Sequence, residues 1–200
     1  MKRSLPTLQA ARTGRRGQSS VRTGWRDADR AATLERVELE RPVIAVAHVD
    51  QSEVATRLAA QLCAAFKQEG VGVSALISVD APAHAAEAQR AQAAMLEAGA
   101  RNTVLVQKPE RDARAALSQA LSKLPADAWV VALGNALPQL FHPYFTVVVT
   151  GHRRSLTQAT PLVLRAELEV ASPGDELATL LARRLHTLWS ERVATSAAPA

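Results

Sequence analysis

Residues 43–79, VIAVAHVDQSEVATRLAAQLCAAFKQEGVGVSALISV, contain an apolar run, an amphipathic stretch and a second apolar run. The first run, residues 43–47, is short and entirely apolar, which is typical of a buried strand. Apolar residues then recur at every fourth position from Val54 to Phe66, and this period predicts a helix. The second run, residues 71–79, predicts another strand, so the segment forms a strand–helix–strand unit.

The rest of the chain repeats this alternation of strands and helices. Apolar runs predict three more strands, at residues 103–107, 128–133 and 145–150. Helical periodicity predicts three more helices, at residues 84–98, 110–124 and 175–192. We therefore predict an α/β fold of three layers, with a mostly parallel sheet of five or more strands and helices on both faces. Ligands of such folds bind at the carboxyl ends of the strands.

The charge of the chain is concentrated at its amino terminus. Of 24 basic and 19 acidic residues, eight basic and two acidic ones lie in residues 1–30. The remainder holds 16 basic and 17 acidic groups, a net charge of −1. We predict a basic, disordered arm over residues 1–40, a single α/β domain over residues 41–192 and a flexible tail over residues 193–200. Nucleic acid is expected to contact only the arm.

The sequence argues against a membrane-spanning helix, an internal disulfide and a secretory signal. No run approaches the roughly 20 apolar residues that a transmembrane helix needs, so no membrane contact is expected. A single cysteine, Cys63, excludes an internal disulfide. Arg15 and Arg16 are not followed by the apolar region of a secretory signal, so a cytoplasmic protein is expected. The Arg-rich start is also compatible with a transit peptide or a docking arm, although a solvated tail is favoured.

The composition of the loop after the first strand, residues 47–53, argues against a phosphate-binding site. A P-loop uses glycines to wrap the phosphates and a lysine to reach them, and this loop has neither. Asp50 and Glu53 lie three residues apart, which predicts a capping box with Asp50 as the N-cap. A carboxylate about 5 Å from one phosphate charge costs roughly 3 kcal/mol at an effective dielectric constant of about 20. Nucleotide hydrolysis at this loop is therefore not expected.

Five segments follow one another in a layout that resembles a known family. They are residues 43–47 (VIAVA), 68–71 (QEGV), 80–84 (DAPAH), 97–100 (EAGA) before a strand, and 129–135 (WVVALGN). This layout resembles the molybdopterin-guanine dinucleotide biosynthesis protein B family, whose members are P-loop proteins. The glycine and lysine of the family's P-loop are missing here, and Leu133 stands where an acidic residue is expected before Gly134. The resemblance implies a degenerate P-loop protein, a pseudo-GTPase that has kept the fold for binding.

The resemblance also implies a function. It favours a non-catalytic accessory or binding protein in molybdenum cofactor maturation, with a protein partner or a second copy of the chain. One alternative is a GTP-binding protein of the same biosynthesis with an atypical phosphate loop, and another is a metal-site accessory protein. The cofactor stays open between GTP with Mg²⁺ and a form of molybdopterin.

Candidate ligand-binding residues lie in the loops that follow the strands. They are His48, Asp50, Gln51, Ser52, Glu53, Asp80, Gly134, Asn135, Arg153 and Arg154. Gly134 and Asn135 allow either a close approach of a ligand to the backbone or a left-handed turn. Arg153 and Arg154 could hold a phosphate or a carboxylate, or could belong to a polar surface loop.

A metal site is a further hypothesis for the same loops. Its ligands would be His48, Asp50, Asp80 and His84. Two histidines and two aspartates form a ligand set that transition metals accept. The alternative is that one aspartate caps a helix, the other starts a turn and both histidines are solvated.

Residues 137–145, LPQLFHPYF, form an unusually apolar segment. They hold three of the seven aromatic residues of the chain, namely Phe141, Tyr144 and Phe145. Such a segment is either folded under the edge of the sheet or exposed as a surface for a partner. The sequence leaves both interpretations open.

Deletion of residues 1–30 is expected to leave the unfolding midpoint almost unchanged, because this segment has no apolar period and buries little surface. Calorimetry of the full-length and shortened chains measures the two midpoints. Any affinity for nucleic acid should disappear with the deletion, since affinity for phosphate backbones rests on Lys and Arg. A large fall in the midpoint would contradict the prediction and would show that Trp25 or its neighbours pack on the α/β domain.

Overall fold

A six-stranded parallel sheet organises the part of the chain that the computed structural model describes, residues 41–49, 51–79, 81–107, 113–150 and 166–196. Its strands are β1 (Val43–His48), β2 (Val73–Val79), β3 (Thr103–Gln107), β4 (Trp129–Leu133), β5 (Phe145–Val149) and β6 (Leu168–Val170). The strand order is β3-β2-β4-β1-β5-β6, and every pairing is parallel. The predicted α/β fold is confirmed. Strand β6 was not predicted, because three residues are too few to show a period.

Helices cover both faces of this sheet. They are α1 (Ser52–Gln68), α2 (Ala85–Glu97), α3 (Ala113–Ser122), α4 (Leu137–Leu140) and α5 (Leu177–Ser196), with a 3₁₀ turn at Pro82–His84. Alternate strand residues enter two separate cores, one on each face. The first core joins the sheet to α1, α2 and α5, and the second joins it to α3 and α4. The described residues therefore form the three layers that the sequence predicted.

Two glycines end α1 and α2 as predicted. Gly70 and Gly99 have φ angles of 75° and 108°, a left-handed conformation that only glycine adopts at little cost. Beyond the first of them, the backbone N–H of Val71 donates to the carbonyl of Phe66 at 2.9 Å. This bond is that of a Schellman motif, which satisfies a carbonyl at the end of the helix. The chain can then turn directly into the next strand.

The apolar segment 137–145 is folded against the domain. Phe141 is 0% exposed and lies in the core beneath α3 and α4. Tyr144 and Phe145 are half-buried and pack against the opposite core. Of the two interpretations that the sequence left open, folding under the sheet edge is therefore the one that holds for Phe141, and its candidacy for a partner surface is corrected, because α4 turns the ring into the second core.

The two ends of the chain lie largely outside the described residues. Residues 1–40 and 197–200 are among those not described, so the basic arm stays a prediction. Helix α5 continues to Ser196, beyond the predicted end at residue 192. Within the described ranges, no helix has both the length and the apolar content of a membrane span.

We expect Phe141→Ala to lower the free energy of unfolding by about 3–5 kcal/mol, because it leaves a cavity in a packed core. Chemical denaturation measures this loss. Leu180→Ala is the matched control, since Leu180 is 61% exposed and its truncation should cost no more than about 0.5 kcal/mol. A Phe141→Ala protein of normal stability with altered light scattering would instead favour a partner surface.

Candidate functional site

The position of β4 opens a crevice at the carboxyl edge of the sheet. β4 lies between β1 and β2, although it follows both in the chain. The chain leaves β1 and β2 toward the β3 edge, and it leaves β4 toward the β6 edge. Right-handed crossovers then place the following helices on opposite faces, as the two cores show. Neighbouring strands whose connections diverge in this way leave a ligand-binding crevice at their carboxyl ends.

A cavity of about 270 Å³ occupies this crevice. The strands contribute His48, Ile77, Ser78 and Leu133 to its lining, and the residues directly after β4 contribute Gly134 and Asn135. The helices and the 3₁₀ turn contribute Ser52, Thr56, His84, Glu87, Ala88 and Ala91. We call this cavity the crevice pocket. It gathers polar side chains from five separate segments over an apolar floor.

Gly134 forms part of the pocket wall and has no room for a side chain. Its φ angle is 137°, outside the range that other residues adopt readily. A Cβ atom at Gly134 would lie 2.6 Å from the Cβ of Ser78, on the neighbouring strand. Its N–H donates to the carbonyl of Val46 at 3.0 Å. The glycine thus allows the end of β4 to approach β2 closely while it remains bonded to β1.

Asn135 ties two loops of the pocket together. The backbone N–H of His48 donates to Oδ1 of Asn135 at 2.9 Å. This bond joins the end of β1 to the residue pair that follows β4. His48 and Asn135, which the sequence indicated as separate candidates, therefore lie in the same wall of the pocket.

The start of α1 differs from the predicted capping box. The N-cap is Gln51, its side chain makes no capping hydrogen bond, and α1 begins at Ser52. The prediction of Asp50 as N-cap is wrong, because the helix begins one residue later and Glu53 becomes its second residue. The carbonyl of Gln51 accepts the first helical bond, from the N–H of Ala55 at 3.0 Å. The carboxylate of Glu53 is exposed in the first turn.

The structure brings together four of the ten candidate ligand-binding residues. His48, Ser52, Gly134 and Asn135 line the crevice pocket, as does the metal candidate His84. Gln51 and Glu53 are not among the lining residues. Asp50, Asp80, Arg153 and Arg154 lie outside the described residues, so their roles stay predictions.

Three polar residues of the lining did not stand out in the sequence, namely Thr56, Ser78 and Glu87. Thr56 follows the nominated Ser52 by four positions, and Glu87 follows His84 by three. Residues at these spacings share a helix face, so helical periodicity was the signal that could have found two of them. Ser78 had no comparable signal, because its place depends on the strand order.

The charge of the lining restricts the chemistry of the pocket. Among the described residues that line it, none is lysine or arginine, and Glu87 supplies a carboxylate. Ser52, Thr56 and Glu87 are half-buried, and their side chains make no hydrogen bond with another described residue. These groups can therefore bond to a ligand without breaking a contact within the described structure.

The described residues give little support for the predicted metal site. The described residues contain no group of three or more His, Cys, Asp or Glu side chains placed to hold one. The predicted ligands Asp50 and Asp80 lie outside them, so the four-residue metal site stays a prediction. Cys63 takes no part, because burial raises the pKa of its thiol to about 12 and keeps it protonated and unreactive.

Comparison with solved structures finds similarity to proteins of P-loop NTPase fold. A de novo designed protein with this fold, solved by NMR, is 14% identical with a TM-score of 0.43, over 75% of this chain and 94% of that one. The signal recognition particle receptor FtsY from Elizabethkingia anophelis is 16% identical with a TM-score of 0.43, over 74% of this chain and 55% of the receptor chain. No protein-family model matches the chain, and no curated protein sequence matches it. The similarities concern the fold alone.

We expect Gly134→Ala to lower the free energy of unfolding by about 1–3 kcal/mol, through backbone strain and contact with Ser78. Gly174→Ala is the matched control, because a Cβ at Gly174 meets no atom within 4 Å. Chemical denaturation measures both losses.

Ser78→Gly, made alone and combined with Gly134→Ala, separates the two causes. In the combined variant, the free energy of unfolding that is lost through contact with Ser78 should be recovered. The loss that is caused by the strained φ angle of residue 134 should remain. Equal stability of Gly134→Ala and the wild-type protein would show that the wall is not constrained in this way.

Proposed function

We propose that this protein is a non-catalytic binding protein that holds a small polar ligand in the crevice pocket. The observation that carries the proposal is the position of this pocket, where three strand ends meet beneath diverging connections. Its lining supports binding, since half-buried hydroxyl and carboxylate groups and apolar side chains together line a partly open pocket.

The loop between β1 and α1 supports the absence of catalysis. It stands where a P-loop would stand, between the first strand and the first helix, yet residues 47–53 contain no glycine and no lysine. Glu53 adds a negative charge in the first turn of α1. A triphosphate at this helix would meet a carboxylate in place of the backbone cradle and the cation that its charge requires.

The resemblance of segments 43–135 to the molybdopterin-guanine dinucleotide biosynthesis protein B family supports a role in molybdenum cofactor maturation. A form of molybdopterin is then the first ligand to test. An accessory role in that process would involve a protein partner or a second copy of the chain. Tyr144 and Phe145, which are half-buried, are the candidates for its partner surface.

Two other functions have specific support. Arg153 and Arg154, in the segment after β5, could supply the cations for GTP bound through an atypical phosphate loop. His48 and His84 both line the crevice pocket, which supports a metal-site accessory role if Asp50 and Asp80 complete the ligand set.

The proposal predicts binding without turnover. Thermal denaturation with GTP, ATP, molybdopterin, Mg²⁺ or Zn²⁺ should show stabilisation by one ligand, about 2.7 kcal/mol at a hundredfold excess over its dissociation constant. Phosphate release from GTP or ATP with Mg²⁺ should stay at the level of the protein-free reaction.

Hydrolysis of GTP or ATP would contradict this prediction if the loop before α1 can be shown to cause the hydrolysis. It must disappear in an Asp50→Ala, Glu53→Ala double variant and persist in Glu97→Ala, a control on the exposed end of α2. That result would assign the activity to the loop before α1 and make the protein an enzyme.

A further inference from the structure

We infer that a second copy of this chain binds at the free edge of β3, so that two sheets join edge to edge and the α2 helices of the two copies pack antiparallel beside them. The inference goes beyond the proposed function, because this interface needs no ligand in the crevice pocket. Three observations carry it: the unprotected edge of β3, an apolar flank of α2 and the order of the charges along α2.

β3 is an edge strand that lacks the usual protection of sheet edges. Among the described strands it pairs with β2 alone. The carbonyl of Asn102 accepts a bond from β2 at 2.8 Å, so the backbone groups of Thr103 and Leu105 point away from β2. Residues 103–107 (TVLVQ) contain no charge and no proline, which natural edge strands commonly carry. The opposite edge strand, β6, is three residues long with a glutamate at its centre.

An apolar flank of α2 lies beside this edge. The side-chain amide of Gln92 donates to the hydroxyl oxygen of Thr103 at 2.8 Å, which shows that this flank of α2 faces β3. Leu96 follows Gln92 by one turn on the same flank and is 45% exposed. Ala93, three positions before Leu96, is also exposed. Its single methyl group leaves room for a leucine from a neighbouring helix.

The order of charges on α2 selects a second copy as the occupant. Arg90 and Glu97 are exposed and lie seven residues apart, about two turns, on one face of the helix. Neither side chain forms an ion pair or hydrogen bond with another described residue. In two antiparallel helices related by a twofold axis, Arg90 of each copy meets Glu97 of the other. The two ion pairs then flank contacts between Ala93 of one copy and Leu96 of the other.

Light scattering of the full chain tests the inference, at chain concentrations from about 1 μM to about 1 mM. We expect an equilibrium between monomer and dimer. Leu96→Lys should raise the dissociation constant of the dimer at least about tenfold, since it places a charge in the apolar contact. Leu180→Lys is the matched control, because Leu180 is 61% exposed on α5, and it should leave the constant unchanged. A wild-type chain that stays monomeric, or a Leu96→Lys variant that dimerises equally well, would overturn the inference.

Charge reversal tests whether the two helices meet in this register. Arg90→Glu and Glu97→Arg should each raise the dissociation constant at least about tenfold, because each replaces two attractions with two repulsions. An equimolar mixture of the two variants should dimerise as the wild-type protein does, since opposite charges then face each other at both pairs. This recovery would also show that both variants fold. Arg184→Glu, at an exposed position on α5, is the control and should dimerise normally.

A mixture that stays monomeric, or single variants that dimerise as well as the wild-type protein, would show that the helices do not meet in this way and would overturn the inference.

Hydrogen exchange of the backbone amides tests the part that β3 plays. The N–H groups of Thr103 and Leu105 should exchange more slowly in the wild-type dimer than in the Leu96→Lys monomer, because pairing with a second strand protects them. The amides of β6, at the opposite edge, should exchange equally in both. A dimer in which the β3 amides gain no protection would overturn the joining of the two sheets.

Discussion

The insertion of β4 between β1 and β2 is the constraint on which the rest of the structure depends. β4 comes fourth along the chain, lies in the middle of the sheet and bonds to two strands that precede it in the sequence. Its connection then leaves toward the opposite edge from theirs. The crevice at the carboxyl ends of these three strands is a consequence of that order, and most of the polar side chains of interest are gathered there.

Both ends of β4 are held by specific contacts. At its amino end, Trp129 stacks on Phe66 with ring centroids 4.7 Å apart and meets Trp189 edge-on at 6.2 Å. At its carboxyl end, Gly134 closes on Ser78 and bonds to β1. The strand therefore spans the domain from an aromatic cluster at its amino end to the crevice pocket at its carboxyl end.

Much of the fold was readable from local patterns. Two of these patterns are the apolar run of residues 43–47 and the apolar residue at every fourth position before Gly70. Both depend only on neighbouring residues, and the strand and the helix that they predicted are present. The N-cap of α1 was misplaced because Asp50 and Gln51 compete for one position, and the sequence favours the better capping residue. The burial of Phe141 was left undecided because it depends on α4, whose four residues show no period.

The site was only partly readable for a different reason. Gly134, Asn135 and His48 stood out as polar or glycine residues after strands, and they do line one pocket. Ser78 did not stand out, because its importance depends on which strands are neighbours, whereas the helical spacing of Glu87 from His84 was a signal that could have found it. The order β3-β2-β4-β1-β5-β6 is a long-range property that no window of sequence contains. The residue types at strand ends therefore indicated candidate ligand-binding residues. Which of these residues share a pocket was decided by the strand order.

The central claim is that ligand binds where β1, β2 and β4 end, and the most direct test is to map its contacts. Amide correlation spectra of the isotope-labelled chain, recorded during titration with molybdopterin, report which backbone groups change environment. The account predicts the largest changes at Ser78, Glu87 and Gly134, with little change along α5 on the far side of α1. Changes concentrated in α5 or β6, with none at the three strand ends, would contradict it.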